Sequence, residues 1–183
     1  MGNSKEEETS LNELVIRTAT PADAPALYAL VSSHQAEGHL LPRTIDDIRE
    51  HAHHFVVCDV GGALKACAEL APLSARLAEV RSLVVAGDYR RVGVAARLVG
   101  ELRTRATASG FTSLCALTHD ARFFVRQNFS IVPHVWLPEK IAKDCHGCAL
   151  FRQCGQYAML LPLTDIVRRG VRPAAAPRRV AVA

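Results

Sequence analysis

Short blocks of apolar residues, several with alternating polar positions, predict the strands of the chain. Two of these blocks flank the pair Gly61-Gly62 and are therefore expected to form a hairpin. The predicted strands cover, in order, residues 14–17, 55–58, 63–70, 79–85, 113–118 and 156–163.

Apolar residues at helical spacing predict helices between the strands. The clearest helix covers residues 94–108. Its apolar positions are Val94, Leu98, Val99, Leu102 and Ala106. Thr20 and Pro21 suit the cap and the first position of an earlier helix, and Thr44 is a second candidate cap. A short helix is expected at residues 121–128.

The strands and helices are interpreted as one domain at residues 13–163. A polar stretch, residues 1–12, precedes it, and a stretch rich in Arg, Ala and Pro, residues 164–183, follows it. We expect both stretches to be disordered tails. The 183 residues, 49% hydrophobic and 22% charged, suit a single globular domain with a sizeable core.

The formal net charge of +4 is mild, and much of it lies in the final stretch. This clustering argues against a nucleic-acid-binding domain, so we expect no nucleic-acid partner. No apolar run reaches transmembrane length, and no secretory signal follows the N-terminus. We therefore expect a cytoplasmic protein with no membrane partner, whose six cysteines are thiols or metal ligands rather than disulfides. The sequence leaves a homodimer open.

An anion-binding loop is indicated at residues 90–95, between an apolar strand and the long helix. The first turn of a helix presents unpaired N–H groups and the positive end of the helix dipole. Gly93 and Ala95 allow a pyrophosphate to approach the backbone closely, and Arg90 and Arg91 add positive charge. The alternative is an ordinary strand-to-helix turn in which Gly93 serves only to tighten the chain.

The pattern Arg90-x-x-Gly93-x-Ala95, with a strand before it and a helix after it, resembles the signature of the GCN5-related N-acetyltransferase (GNAT) family. The resemblance implies acetyl-coenzyme A as cosubstrate. It also implies a GNAT fold of the α/β (α+β) class, with a central mixed, mostly antiparallel sheet of about seven strands and about four flanking helices. In that fold the fourth and fifth strands splay apart and receive the pantetheine arm of the cofactor.

The resemblance also implies which residues bind the cofactor. Phe124 would contact the pantetheine arm, although plain core packing is the alternative for the pair Phe123-Phe124. The implied cofactor-binding residues are Leu83, Val84, Val85, Arg90, Arg91, Val92, Gly93, Val94, Ala95 and Phe124.

An ordered set of further segments narrows the resemblance to the acetyltransferase domain of bacterial N-acetylglutamate synthase, in a short single-domain version. These segments are Leu-Pro-Arg43-Thr, Cys67-Ala68-Glu69-Leu70, Ala78-Glu79-Val80 and Leu137-Pro138-Glu139. The resemblance implies acetyl transfer to the amine of the amino acid L-glutamate, the first step of arginine biosynthesis. The kinase-like domain that binds arginine in the longer enzymes has no room here, so we expect that route of inhibition to be absent.

Arg43 matches the family position and is the first candidate to bind a substrate carboxylate, because a guanidinium can bind a carboxylate through two hydrogen bonds. Arg81 and Lys140 are further candidates, and the alternative for all three is a solvated surface charge. A cysteine-rich stretch replaces the segment where longer enzymes place a substrate-binding Arg. Another amino acid, a small amine or a protein lysine therefore stays open as acceptor, as does a non-catalytic coenzyme A-binding or zinc-stabilised module.

Two carboxylates are candidates for the general base, because the amine must lose a proton before it attacks the thioester. Glu79 opens the predicted fourth strand and is the preferred catalytic residue. Glu69 lies on the neighbouring strand, and we expect it to face solvent.

The segment Cys145-x-x-Cys148-x5-Cys154 has the spacing of metal ligands. A structural zinc ion needs a fourth ligand, which His146 or His134 would supply. The alternatives are a redox-active pair and a loop with partly buried thiols.

Overall fold

The structure, a computed structural model, describes residues 14–35 and 43–163. Seven strands form one sheet in this part of the chain. They are β1 (Leu14–Thr18), β2 (Phe55–Val60), β3 (Ala63–Pro72), β4 (Leu77–Val85), β5 (Ser113–Thr118), β6 (Ser130–Val132) and β7 (Tyr157–Pro162). Their order across the sheet is β1-β2-β3-β4-β5-β7-β6, and only the β4–β5 pair is parallel.

Five helices accompany the sheet within the described ranges. They are α1 (Ala24–Gln35), α2 (Ile45–Glu50), α3 (Val94–Ala108), α4 (Ala121–Arg126) and α5 (Pro138–Lys140). The last continues into a π-helical turn at Ile141–Cys145. No helix in these residues is long and apolar enough to span a bilayer.

Helices cover both faces of the sheet, as their apolar positions require. On one face α3 contributes Leu98 and Leu102 to a core that includes Val80 of β4. On the other face α1 and α2 contribute Leu27 and Ile48 to a second core. These four helix residues are fully buried, so shortening any one to alanine is expected to cost about 2–5 kcal/mol.

A bulge in β4 changes which side chains face each core. Val80 and Leu83 both pack on the α3 side, although strict alternation would place them on opposite faces. Between them Ser82 has a φ of 50°, and the ladder to β3 shifts register between Cys67 and Glu69. The bulge therefore bends β4 in the middle of the sheet.

The parallel pairing of β4 and β5 ends soon after it begins. Their ladder covers only three residue pairs, the last being Glu79 with Cys115. β5, by contrast, pairs with β7 along its whole length. Beyond Glu79 no ladder pair joins the two strands, and this unpaired stretch between β4 and β5 is called the cleft below.

The sequence predicted most of these elements, and the predicted GNAT-type fold class is confirmed. The predicted strands and helices occur, and most of their ends differ by at most two residues. The exception is α1, which begins at Ala24 and not at Pro21, because Pro21–Asp23 form a 3₁₀ turn behind the cap Thr20. The sequence analysis did not predict β6, which has three residues and is too short for a clear alternation of apolar and polar positions. It also did not predict α5. The predicted tails at residues 1–12 and 164–183 lie outside the described residues.

Candidate active site

The loop after β4 shapes the start of α3. Arg91 and Gly93 both have left-handed backbone conformations, with φ of 67° and 86°. Gly93 is the N-cap of α3, and no side chain accepts a hydrogen bond there. The first N–H groups of α3 therefore lack a side-chain cap and can bind an anion.

A glycine suits position 93 because the backbone there is left-handed, and not because neighbouring atoms leave no room for a side chain. A methyl group built on Gly93 would meet no protein atom within 4 Å. The space beside the helix N-terminus is thus open. Arg90, at the near end of the loop, donates from Nε to the Val85 carbonyl oxygen at 3.1 Å and so covers the end of β4.

The predicted cofactor residues fall into two groups by the burial of their side chains. Val84 and Val94 are 3% and 1% exposed and belong to the two cores, so only their backbones can contact a ligand. The remaining members are at least partly exposed, apart from Phe124. They are Leu83, Val85, Arg90, Arg91, Val92, Gly93 and Ala95.

Phe124 lies in the core, as the alternative interpretation of the aromatic pair had it. Its ring is 5% exposed and packs edge-on against Phe123 and Phe129, with ring centroids 5.1 Å and 5.2 Å apart. Phe123 is partly exposed. Phe123 is therefore more accessible to a ligand than Phe124.

A group of four charges, of which Glu79 and Lys140 are buried and Arg81 and Asp144 partly exposed, lies at the closed end of the cleft. Glu79 is 3% exposed, and its carboxylate accepts hydrogen bonds from Arg81 at 2.6 Å and from Lys140 at 2.9 Å. Asp144 accepts from the same two cations, at 2.5 Å and 2.8 Å. Two carboxylates thus share two cations, and α5 with its π-helical turn brings Lys140 and Asp144 to the sheet.

A second group of charges lies beside the first. Arg43 donates from Nη1 to Glu69 at 2.6 Å, and its Nε donates to Asp47 on α2. Glu69 faces Arg81 across the β3–β4 ladder, so the two groups adjoin. The structure therefore gathers the three predicted substrate cations and both candidate bases in one region.

The structure contradicts the expectation for Glu69 and the alternative interpretation of Lys140. Glu69 does not face solvent, because it is 3% exposed and binds Arg43. Lys140 is not a solvated surface charge, because it is 5% exposed and binds two carboxylates. Both side chains are buried with partners of opposite charge, as buried ions require.

The ion pairs shift the pKa values of Asp144, Arg81 and Arg43 toward the charged forms. Burial alone would raise the pKa of Asp144, but the hydrogen bond and charge of Lys140, together with Arg81, lower it below its usual range. Burial alone would lower the pKa of Arg81, but the charge and hydrogen bonds of Glu79 raise it above its ordinary value. Burial likewise opposes the charge of Arg43, and Glu69 raises the pKa of that guanidinium. The region therefore holds fixed charges that can bind carboxylate and ammonium groups.

Sequence reasoning missed Asp144 and Asp47. Each lies four residues after a cation that it binds, Asp144 after Lys140 and Asp47 after Arg43. This spacing is the helical signal for an ion pair. The four-residue spacing was visible in the sequence, but spacing alone does not show that an ion pair lies beside a cleft.

The three clustered cysteines do not form a metal centre in this structure. Among residues 14–35 and 43–163, no group of three or more His, Cys, Asp or Glu side chains could hold a metal ion. Cys145 ends the π-helical turn, the Cys148 backbone N–H donates to the Cys145 carbonyl oxygen at 3.0 Å, and Cys154 follows the 3₁₀ turn at Phe151–Gln153. The predicted zinc site gains no support.

Comparisons with known proteins agree with this architecture. A family model described as the acetyltransferase (GNAT) family matches residues 21–129. An uncharacterized N-acetyltransferase of Chlorobaculum tepidum is 31% identical over 148 residues, which are 81% of this chain and 96% of the relative. An amino-acid acetyltransferase of Pasteurella multocida is 28% identical over 127 residues, which are 68% of this chain and 29% of the relative.

The fold is also similar to that of N-acetylglutamate synthase from Neisseria gonorrhoeae, solved in complex with coenzyme A and N-acetyl-glutamate. The TM-score is 0.74 at 25% identity, over 82% of this chain and 35% of that one. The chain thus spans about a third of the length of that enzyme and nearly all of the Chlorobaculum protein. Because the family model covers more than half of its residues, the chain belongs to the acetyltransferase (GNAT) family and is an acyl-transferring N-acetyltransferase.

Proposed function

We propose that the protein transfers the acetyl group of acetyl-coenzyme A to the amine of L-glutamate. The observation that carries this proposal is the group of three cations, Arg43, Arg81 and Lys140, at the closed end of the cleft between β4 and β5. The product, N-acetylglutamate, belongs to arginine biosynthesis. Relatives named amino-acid acetyltransferases support an amino acid as substrate.

The cofactor proposal rests on the start of α3. The uncapped N–H groups, the open space at Gly93 and the cations Arg90 and Arg91 suit a pyrophosphate. The edge of β4 that leaves the β5 ladder offers backbone groups to the pantetheine arm. The Neisseria enzyme of similar fold was solved with coenzyme A bound, which supports the same cofactor here.

The reaction needs a base, because an amino acid carries an ammonium group at neutral pH. The amine nitrogen attacks the thioester carbonyl, an oxyanion forms, and the coenzyme A thiolate leaves. Glu79 is the proposed proton acceptor, directly or through a water molecule. Lys140 contacts both oxygens of the Glu79 carboxylate, and Arg81 also contacts one of them. A substrate that draws one of these cations away would make an oxygen of Glu79 available.

The charge balance of the site favours a second candidate, an amino acid with a neutral side chain. Four carboxylates already face the three cations. They are Asp47, Glu69, Glu79 and Asp144. A zwitterion adds no net charge to this group, whereas glutamate adds one more negative charge. Glutamate must therefore displace a carboxylate of the protein.

An acetyl-coenzyme A thiol-release assay against the free amino acids and a lysine peptide tests the proposal. We expect the highest kcat/KM with L-glutamate. A neutral amino acid in first place would establish the second candidate. Absence of turnover with every amine would refute the proposed function.

A further inference from the structure

Asp144 and Glu79 share the same two cations. Arg81 Nη2 donates to Asp144 Oδ2 at 2.5 Å and to Glu79 Oε2 at 2.6 Å. Lys140 Nζ donates to the same Asp144 oxygen at 2.8 Å and lies 2.8 Å from Glu79 Oε1. The four groups form a closed ring of alternating charge.

The two carboxylates differ in how firmly the chain holds them. The Glu79 side chain is 4% exposed, and its strand pairs on both sides, with Ala71 and with Cys115. The Asp144 side chain is 18% exposed and lies on the π-helical turn outside the sheet. Asp144 is therefore the carboxylate that solvent reaches, and moving it leaves the sheet intact.

Glu69 is not an equivalent competitor for these cations. It faces Arg81 across the ladder, but its two oxygens accept hydrogen bonds from Arg43, at 2.6 Å and 3.4 Å. The carboxylate that covers Arg81 and Lys140 on their solvent side is that of Asp144.

Buried cations need a partner of opposite charge. Asp144 supplies it to Arg81 and Lys140 through a single oxygen, Oδ2, and a substrate carboxylate offers the same negative charge. We propose that a substrate carboxylate replaces Asp144 on Arg81 and Lys140, so that Asp144 weakens the binding of acidic molecules and sets the selectivity of the site. This inference rests on the proposed function, because it assigns a carboxylate to the amino-acid substrate.

Calorimetric titration of Asp144→Asn in the presence of coenzyme A tests the inference without turnover. The probes are L-glutamate and L-glutamine amide, which carries no carboxylate. Removing a competing charged partner should tighten glutamate binding about tenfold and leave the amide unchanged. Glu101→Gln, which breaks the partly exposed pair of Glu101 with Arg105 on α3, is the control and should change neither affinity. Equal shifts for both probes, or no gain for glutamate, would overturn the inference.

A second measurement uses the wild-type protein, because Asp144→Asn leaves the buried Lys140 and the partly buried Arg81 with one carboxylate and can fail to fold. In a crystal structure with coenzyme A and L-glutamate, a substrate carboxylate should contact Arg81 and Lys140, with Asp144 turned away. Asp144 still on both cations in that complex would overturn the inference. Failure of the proposed function has a different signature, namely no thiol release with any amino acid.

Discussion

Glu69 and Arg81 are direct neighbours across the β3–β4 ladder, and each forms an ion pair with a residue outside the sheet. Glu69 binds Arg43, next to α2, and Arg81 binds Asp144 on the turn after α5. The negative charge of Glu69 also supports the charged form of Arg81 and contributes to its raised pKa. The two ion-pair groups therefore interact electrostatically, and a substitution in one group should affect the other.

Replacing Gly93 by Val should weaken acetyl-coenzyme A binding by at least about tenfold. The side chain would enter the open space beside the first turn of α3, where we place the pyrophosphate. Calorimetry with coenzyme A measures the affinity.

Gly62→Val is the matched control for this variant. Gly62, in the turn between β2 and β3, has a φ of 84° against 86° for Gly93, and a methyl group there also meets no atom within 4 Å. Both variants should lose about 1–2 kcal/mol of stability from the left-handed backbone. Only Gly93→Val should lose affinity, and equal affinities in the two folded variants would refute the loop assignment.

Replacing Arg43 by Ala should lower kcat/KM for L-glutamate about ten- to a hundredfold, if Arg43 binds a substrate carboxylate. The KM for acetyl-coenzyme A should stay within about twofold, because Arg43 belongs to the charge group and not to the loop before α3. Steady-state kinetics with each substrate varied in turn measures both. Arg43→Lys should restore part of the activity, since a point charge cannot reproduce the two-bond geometry of Arg.

Burial complicates this variant, because Arg43→Ala leaves Glu69 without its partner at 3% exposure. Removing one member of a buried ion pair costs about 3–5 kcal/mol. The melting temperature must therefore be followed alongside the kinetics. Arg105→Ala, which breaks the partly exposed pair with Glu101, is the control and should leave glutamate kinetics unchanged. Glutamate kinetics that are normal in a folded Arg43→Ala protein would exclude Arg43 from the substrate site.

Glu79→Gln and Glu69→Gln should separate the proposed base from a positioning residue. Loss of a general base lowers kcat about 10²–10⁴-fold and removes the acidic limb of the pH profile of kcat/KM. Glu79→Gln should show both effects. Glu69→Gln should act mainly on the KM for the amino acid, through Arg43, and keep the acidic limb. If the limb persists in Glu79→Gln, the base is another group.

The sequence predicted the parts of this site that depend on neighbouring residues in the chain. Residues 90–95 lie between a strand and a helix, and the structure gives Gly93 the left-handed conformation that such a turn needs. Thr44 caps α2 as expected, with its hydroxyl accepting from the Asp47 backbone N–H at 3.1 Å. Such local geometry follows from a few consecutive residues.

The long-range parts could not be predicted in the same way. Lys140 lies 61 residues from Glu79 in the chain, and only the folding of α5 onto the sheet brings them together. A lysine is usually exposed, so composition favoured the wrong interpretation. The bulge at Ser82 changes which side chains of β4 face each core. The pattern of apolar residues in β4 does not predict this bulge.

Asp23 should make stability depend on pH in acid. The hydrogen bond from Arg17 holds the pKa of this carboxyl well below its usual range. The folded pKa is thus lower than the unfolded value of about 3.9, so the stabilisation is fully present above that value and disappears as the pH falls below it. Because the Arg17 side chain is 35% exposed, the contribution is discounted to about 1 kcal/mol. Chemical denaturation of the wild type and Asp23→Asn between pH 7 and about pH 2 measures the difference.

The stability difference between the two proteins should be constant at neutral pH and should shrink only in the acid range. Asp46→Asn is the matched control, because Asp46 also pairs with an arginine, Arg49, but its side chain is 84% exposed. An exposed pair of this kind contributes about 0.2–1 kcal/mol at most, so this variant should show a smaller loss at pH 7. The Asp23 pair differs because its carboxylate is 15% exposed and also accepts a hydrogen bond from the Thr20 backbone at 2.7 Å. If Asp23→Asn costs no more than Asp46→Asn, or if its cost persists unchanged at the lowest pH, the depressed pKa is not the source of the stabilisation.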